Sequence, residues 1–216
     1  MTPETALHML DYAAVAVFAV TGALAASRSQ LDIVGFIFIA ALTATGGGTT
    51  RDIILDRPVF WVADPVVLAV AALAAVAVFF AAHTLESRYR ALLWIDAFAL
   101  AIAVPAGVAA ALGMGQGWPI VLVMGMITGC LGGLMRDVVC NEVPLVLKQG
   151  ELYVTCAFAG AAAALLAGAA GAGQVSALLL CALVTLVLRA GSLAFGWRLP
   201  VYRARPPRPA SPKRGG

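Results

Sequence analysis

Polar residues along this chain gather into short intervals that separate seven long apolar runs, at about 7–26, 31–56, 65–83, 91–112, 118–140, 152–170 and 174–195. A helix needs ~20 such residues to cross hydrocarbon ~30 Å thick. The pattern therefore predicts an all-α membrane protein with seven transmembrane helices. The connections are short, so no soluble domain is attached. The second and fifth runs are long and carry clusters that interrupt them: GGGTTRD at 46–52 and LGGLMRD at 131–137.

The clusters stand at one offset of 85 residues, so Gly47, Gly48, Arg51 and Asp52 recur as Gly132, Gly133, Arg136 and Asp137. Thr43 recurs as Thr128, and Asp11, Gly22, Ala25 and Ala26 as Asp96, Gly107, Ala110 and Ala111. Pro58 and Pro144 correspond after a one-residue insertion. The offset joins runs one to three with runs four to six. Three is an odd number of spans, so the second set starts on the side where the first ended. The predicted organisation is a three-span repeat over 1–90, a second, inverted repeat over 91–173 and an unpaired span at 174–195. A basic, Pro-rich tail over 196–216 is predicted to be disordered.

Composition agrees with a membrane protein. The chain is 62% hydrophobic and 12% charged, against about 45–50% and about 25% in soluble domains. The four cysteines, Cys130, Cys140, Cys156 and Cys181, lie within spans without CxxC or metal-ligand spacing, and read as small packing residues. The first run is read as a retained span and not a signal peptide. Nothing basic precedes it, Glu4 and Asp11 are acidic, and it has a repeat partner. Arg28, Arg88, Arg90, Lys148 and the six Lys and Arg residues of the tail share one side, and only Arg57 lies opposite. The positive-inside rule puts the C-terminus in the cytoplasm and the N-terminus outside. The tail suits contact with anionic membrane lipid.

Inverted repeats with interrupted helices at corresponding positions point to a solute or ion site near the midplane. Glycine is where a helix bends most cheaply, and backbone freed by a bend must face protein or a wet cavity. Gly46, Gly47, Gly48, Gly132 and Gly133 are the candidate bends. Close packing of helices is the other use of small residues, and it is the reading taken for the stripe Gly160, Ala164, Gly168. On a helix, Thr43, Gly47 and Arg51 share one face, as do Thr128, Gly132 and Arg136. The threonines are candidate path-lining hydroxyls.

Arg51, Asp52, Arg136 and Asp137 are the candidate pore or gate charges. Two roles stay open and are compatible: lining a water-filled path, or a reciprocal clamp pairing Arg51 with Asp137 and Arg136 with Asp52. An unpaired arginine beside a cation path would repel the ion, so these arginines are either neutralised or a barrier. Asp11 and Asp96 read as carboxylates stabilising helix N-termini, and Arg189 as snorkelling to an interface. Trp61, Trp94, Trp118 and Trp197 mark span edges as an aromatic belt. GGGTTRD lacks the GK[ST] of a phosphate loop, and no HExxH, GxSxG or Cys/His cluster occurs. No enzyme, cofactor, metal site or nucleic-acid partner is expected.

At GGGTTRDIILDRPVFW (46–61) and GGLMRDVVCNEVPLVL (132–147) the sequence resembles the prokaryotic branch of the TRIC (trimeric intracellular cation) channel family. The likeness extends over about 6–195 through the duplicated three-span layout and seventh span; the tail lies outside it. The resemblance implies a homotrimer in the bacterial inner membrane with one pore per protomer. That pore would pass monovalent cations, chiefly potassium, between second and fifth spans bent at their glycines. The basic lipid-binding motif of animal members has no convincing counterpart here. Inverted repeats suit a secondary transporter of a small solute such as glycine equally well, and that alternative stays open.

Overall fold

The computed structural model describes residues 3–84, 87–148 and 151–200. Its helices are α1 (Pro3–Arg28), α2 (Ile33–Ile54), the single turn α3 (Phe60–Ala63), α4 (Val66–Ala81), α5 (Arg88–Gly113), α6 (Trp118–Val139), α7 (Val154–Ala169) and α8 (Gln174–Phe195). Short 3₁₀ turns follow α4 at Ala82–Thr84 and precede α7 at Leu145–Leu147. Among the described residues no strand forms beyond one isolated bridge, Glu151 with Arg198. The expected tail lies, from residue 201 onward, outside the described residues.

Six of the helices are long and apolar enough to cross a membrane. The sixth predicted run folds as α7, apolar but only 16 residues long. At 1.5 Å per residue it covers about 24 Å, short of hydrocarbon ~30 Å thick.

Helix ends follow local chemistry. Asp32 caps α2 by accepting from the Gly35 amide at 2.8 Å, and Ser87 caps α5 by accepting from Arg90 at 3.2 Å. α1 and α5 end through Gln30 (φ 55°) and Gly115 (φ 66°), and α2 and α6 end through Asp56 (φ 51°) and Asn141 (φ 55°). A left-handed residue just past a helix lets the next amides return to the last turn's carbonyls. Here Arg57 donates to Asp52 and Glu142 to Asp137, at 2.9 and 2.8 Å. Each pair of helix ends obeys the 85-residue offset.

α5 is the central helix. Of its apolar window 78% is buried, against 28% for α4 at the periphery. α5 packs on α1, α6, α7 and α8, and α2 packs on α1, α4 and α6. Alanine and glycine make this closeness possible: Ala97, Ala99, Ala103, Ala106 and Ala111 of α5 are almost fully buried. Small residues let backbones approach where no hydrophobic force drives helices together. The chain reverses between α1 and α2, between α2 and α4, and between α4 and α5. The end of α1 and the start of α5 therefore lie at the same end of the bundle. Arg28, closing α1, bonds Glu142, just beyond α6, at 2.9 Å, which places the end of α6 there too.

The small-residue stripe of α7 is used in part. Gly160 and Ala164 are buried, and a Cβ on Gly160 would overlap the Thr185 hydroxyl of α8, whereas one on Gly168 would meet nothing within 4 Å. Gly160→Ile is expected to lower thermal stability in detergent by about 1–3 kcal/mol through overpacking. Gly168→Ile should stay within about 0.5 kcal/mol of the parent. Equal melting shifts for the two variants would refute this α7–α8 interface.

Candidate functional site

α2 and α6 cross at the glycines. A Cβ on Gly47 would overlap the Thr128 carbonyl oxygen, and one on Gly132 the Thr43 carbonyl oxygen. Each threonine thus lays its backbone on the glycine of the other helix. Gly46 faces Met135, Gly48 the Phe60 ring and Gly133 the Tyr153 hydroxyl. α2 and α6 remain helical without interruption through all five glycines, which corrects the expectation of interrupted helices. The missing side chains serve close approach, and the carbonyl ladder stays intact.

The threonine hydroxyls are committed. Thr43 donates to the Ile39 carbonyl at 2.6 Å and Thr128 to the Met124 carbonyl at 2.7 Å, each one turn back. Their oxygens rest in notches left by Gly22 of α1 and Gly107 of α5. A narrow cleft lined by Asp11, Phe18, Thr43, Gly47, Phe60 and Thr128 reaches this crossing, with free volume of about 10 Å³. That is roughly the space of one water, so the cleft is shut to a hydrated ion.

Beyond the crossing stands one buried charge cluster on each side. Arg51, 0% exposed, donates from Nε to Asp52 at 2.8 Å and from Nη1 to Asp11 at 2.7 Å. Its Nη2 reaches both carboxylates at 3.2 Å. Arg136, also 0% exposed, donates from Nε to Asp137 and from Nη1 to Asp96, both at 2.8 Å. The second oxygen of Asp52 accepts the Phe60 amide at 3.0 Å, and that of Asp137 the Leu145 amide at 2.9 Å. Each aspartate so ties its helix to the chain segment returning after the corresponding proline. Each cluster has formal charges of one plus and two minus, leaving one net negative charge. Because α1 and α5 run in opposite directions, the clusters lie toward opposite ends of the bundle.

These contacts correct three expectations. The reciprocal clamp does not form, since each arginine pairs within its own half. Asp11 and Asp96 are not N-terminal caps: α1 starts at Pro3 and α5 at Arg88, so both carboxylates sit two turns inside. Arg189 does not snorkel. It is 0% exposed, donates to Glu151 at 3.1 Å, and stands over the Tyr153 ring with Cζ 4.9 Å from the centroid. The Trp61 indole, on the single turn α3 after α2, donates to Thr49 at 2.8 Å.

Sequence comparison places this geometry. A family model described as "Glycine transporter" matches twice, at residues 8–83 and 93–169, the two starts 93 − 8 = 85 residues apart. A UPF0126 membrane protein of Vibrio cholerae is 37% identical over 91% of this chain and 82% of its own. The UPF0126 inner membrane protein YadS of Escherichia coli K12 is 34% identical over 91% and 96%. Among solved structures, the TRIC trimeric intracellular cation channel orthologue from Rhodobacter sphaeroides superposes with a TM-score of 0.86. It is 42% identical and covers 89% of this chain and 99% of its own. The chain belongs to the prokaryotic TRIC family. A second structure, described as a basis for conductance through TRIC cation channels, matches at TM-score 0.82 and 28% identity, covering 92% and 98%.

In this TRIC-family chain the predicted site residues come together around one crossing, with Asp11, Asp96, Phe60, Tyr153 and Glu151 added. The 85-residue recurrence of Asp11 as Asp96 was the signal for the first two. Nothing in the sequence singled out Tyr153, whose counterpart position after the insertion holds Val67. The cysteines are free, and Cys130, Cys156 and Cys181 are buried.

Removing one partner of a buried pair commonly costs about 3–5 kcal/mol. Arg51→Gln is expected to fall in that range in chemical denaturation, and a double-mutant cycle should couple it to Asp11→Asn. A cycle with Asp137→Asn should be additive. Coupling to Asp137 without coupling to Asp11 would restore the reciprocal clamp.

Proposed function

We propose that this chain is a potassium-permeable channel for monovalent cations, a homotrimer in the bacterial inner membrane with one path per protomer. Residues 1–90 and 91–173 are inverted repeats, α7 and α8 complete seven spans, the N-terminus is outside and the C-terminus cytoplasmic. The path runs between α2 and α6. Gly46, Gly47, Gly48, Gly132 and Gly133 are the points about which these helices move, and Thr43 and Thr128 line the narrowest part. Arg51 with Asp52, and Arg136 with Asp137, are the gate charges at its two ends.

One observation carries this reading: a single shut crossing lies between two buried clusters that are each net negative. A lone arginine would repel a cation by about 4 kcal/mol at 4 Å even at an effective dielectric constant of 20. Two carboxylates reverse that sign. The arginine then acts as a removable plug, held by its own aspartates across the route of the ion. Likeness to solved TRIC cation channels supports the same reading.

A second reading, a secondary transporter of a small solute such as glycine, is favoured by the description of the matching family model. Two equivalent locks at opposite ends also suit alternating access. Planar bilayers separate the two. Purified protein under a potassium chloride gradient should give unitary currents that reverse near the potassium equilibrium potential. Saturable glycine uptake without unitary current would establish the carrier instead.

Arg51→Gln and Arg136→Gln, recorded singly, should raise open probability and flatten voltage dependence while cation selectivity is kept. Each removes a plug and leaves its carboxylates. A shift toward anion permeability in both variants would show that the arginines shape a filter and do not act as gates.

A further inference from the structure

The two clusters match at Nε and Nη1 of the arginine and differ at Nη2. Around Arg51 every guanidinium nitrogen has a carboxylate partner, and Nη2 takes an oxygen of Asp11 and one of Asp52. Around Arg136 the matching aspartate is divided. Asp96 gives Oδ1 to the arginine, and its Oδ2 accepts the Tyr153 hydroxyl at 2.7 Å. Arg136 Nη2 is left buried without a hydrogen-bond partner. Position 67, which corresponds to Tyr153 after the one-residue insertion at the prolines, is a valine and offers Asp11 no competing donor.

Tyr153 is held firmly in that competing role. It is 2% exposed, and the Arg189 guanidinium covers its ring. Arg189 is anchored through Nη1 to Glu151, while its Nε and Nη2 are buried without partners. The Glu151 side chain is 27% exposed, so this chain of contacts runs from the buried lock to the protein surface. The orphan donors do not make an anion site. Arg136 and Arg189 face Asp96, Asp137 and Glu151, two positive charges against three negative, and an added anion would meet net repulsion.

The geometry points to Tyr153 as a positioning residue that keeps the Arg136 lock incomplete, with Arg189 and Glu151 setting the tyrosine in place from the surface. A carboxylate that grips a guanidinium at two points holds it harder than one that grips at a single point. The lock at Arg136 is therefore the one that releases first, while the Arg51 lock, with no such competitor, stays shut longer. α8, which has no counterpart in the repeat, gains a role: it carries the arginine that makes the two ends unequal. This inference rests on the proposed reading of the clusters as gates.

The test is Tyr153→Phe, which deletes the hydroxyl and keeps the ring beneath Arg189. Asp96 Oδ2 is then free to take Arg136 Nη2, so open probability should fall about tenfold with unitary conductance unchanged. Arg189→Gln should act in the same direction, and Arg189→Lys should recover part of the loss. Open probability that is unchanged or raised in Tyr153→Phe, while Arg136→Gln still alters it, overturns the inference and leaves the gate reading standing. Altered unitary conductance overturns it as well, since the tyrosine would then line the path. If the wild-type chain carries no current, the gate reading fails by itself, and melting temperature still decides on Tyr153. Tyr153→Phe and Arg136→Lys must couple in a double-mutant cycle, and additive shifts would mean that the tyrosine does not compete for Asp96.

Discussion

A guanidinium taken out of water must be neutralised where it stands, and in this protein two carboxylates meet Arg51 and two meet Arg136. Desolvating one ion costs several kcal/mol even after relaxation, so a fully buried arginine fixes the positions of whatever surrounds it. Arg51 fixes Asp11 on α1 and Asp52 on its own helix; Arg136 does the same with Asp96 and Asp137. Each aspartate following an arginine then captures an amide of the returning chain, at Phe60 and Leu145. Helix pairing, loop closure and the charge at either side of the crossing of α2 and α6 all follow from those two ions.

The second constraint is the absence of side chains at the crossing. Gly47 and Gly132 let α2 and α6 meet backbone to backbone, each under the threonine carbonyl of the other helix. The exchange between halves that the sequence suggests for charges occurs here, in glycine and threonine. Contacts of this kind are cheap to slide, because they involve van der Waals packing and no hydrogen bond. The charge clusters are expensive to break. In the proposed channel, stiff charge clusters at either side of this crossing hold it shut at rest, and release of one lets the crossing move.

Much of this was legible in the residues. The apolar runs located the helices closely: run 174–195 is α8 to the residue, and run 118–140 is α6 with one residue to spare. Duplication was legible because arginine and aspartate are rare in spans and recur with paired glycines at one offset. The partner of each arginine was not. A duplicated set of one aspartate plus an Arg-Asp pair can be neutralised within a half or between halves, and the residues are the same either way. What decided it was the depth of Asp11 and Asp96, two turns inside helices that begin earlier than their apolar runs. The glycines carried the same ambiguity, since the same residue serves a bend or a close approach, and both helices run through them without interruption. Arg189 was read from its position near a helix end, but burial against Glu151 and Tyr153 depends on how α7 and α8 fold back.

In the proposed channel, paired carboxylates, and not the absence of positive charge, make both ends of the path hospitable to cations. Asp11→Asn combined with Asp96→Asn removes one negative charge from each cluster and keeps the shape of every side chain. Its reversal potential under a potassium chloride gradient is the direct measurement. The expected result is a shift from the potassium equilibrium potential toward zero, as selectivity over chloride weakens. A reversal potential that stays at the parent value, with currents of normal size, would contradict it.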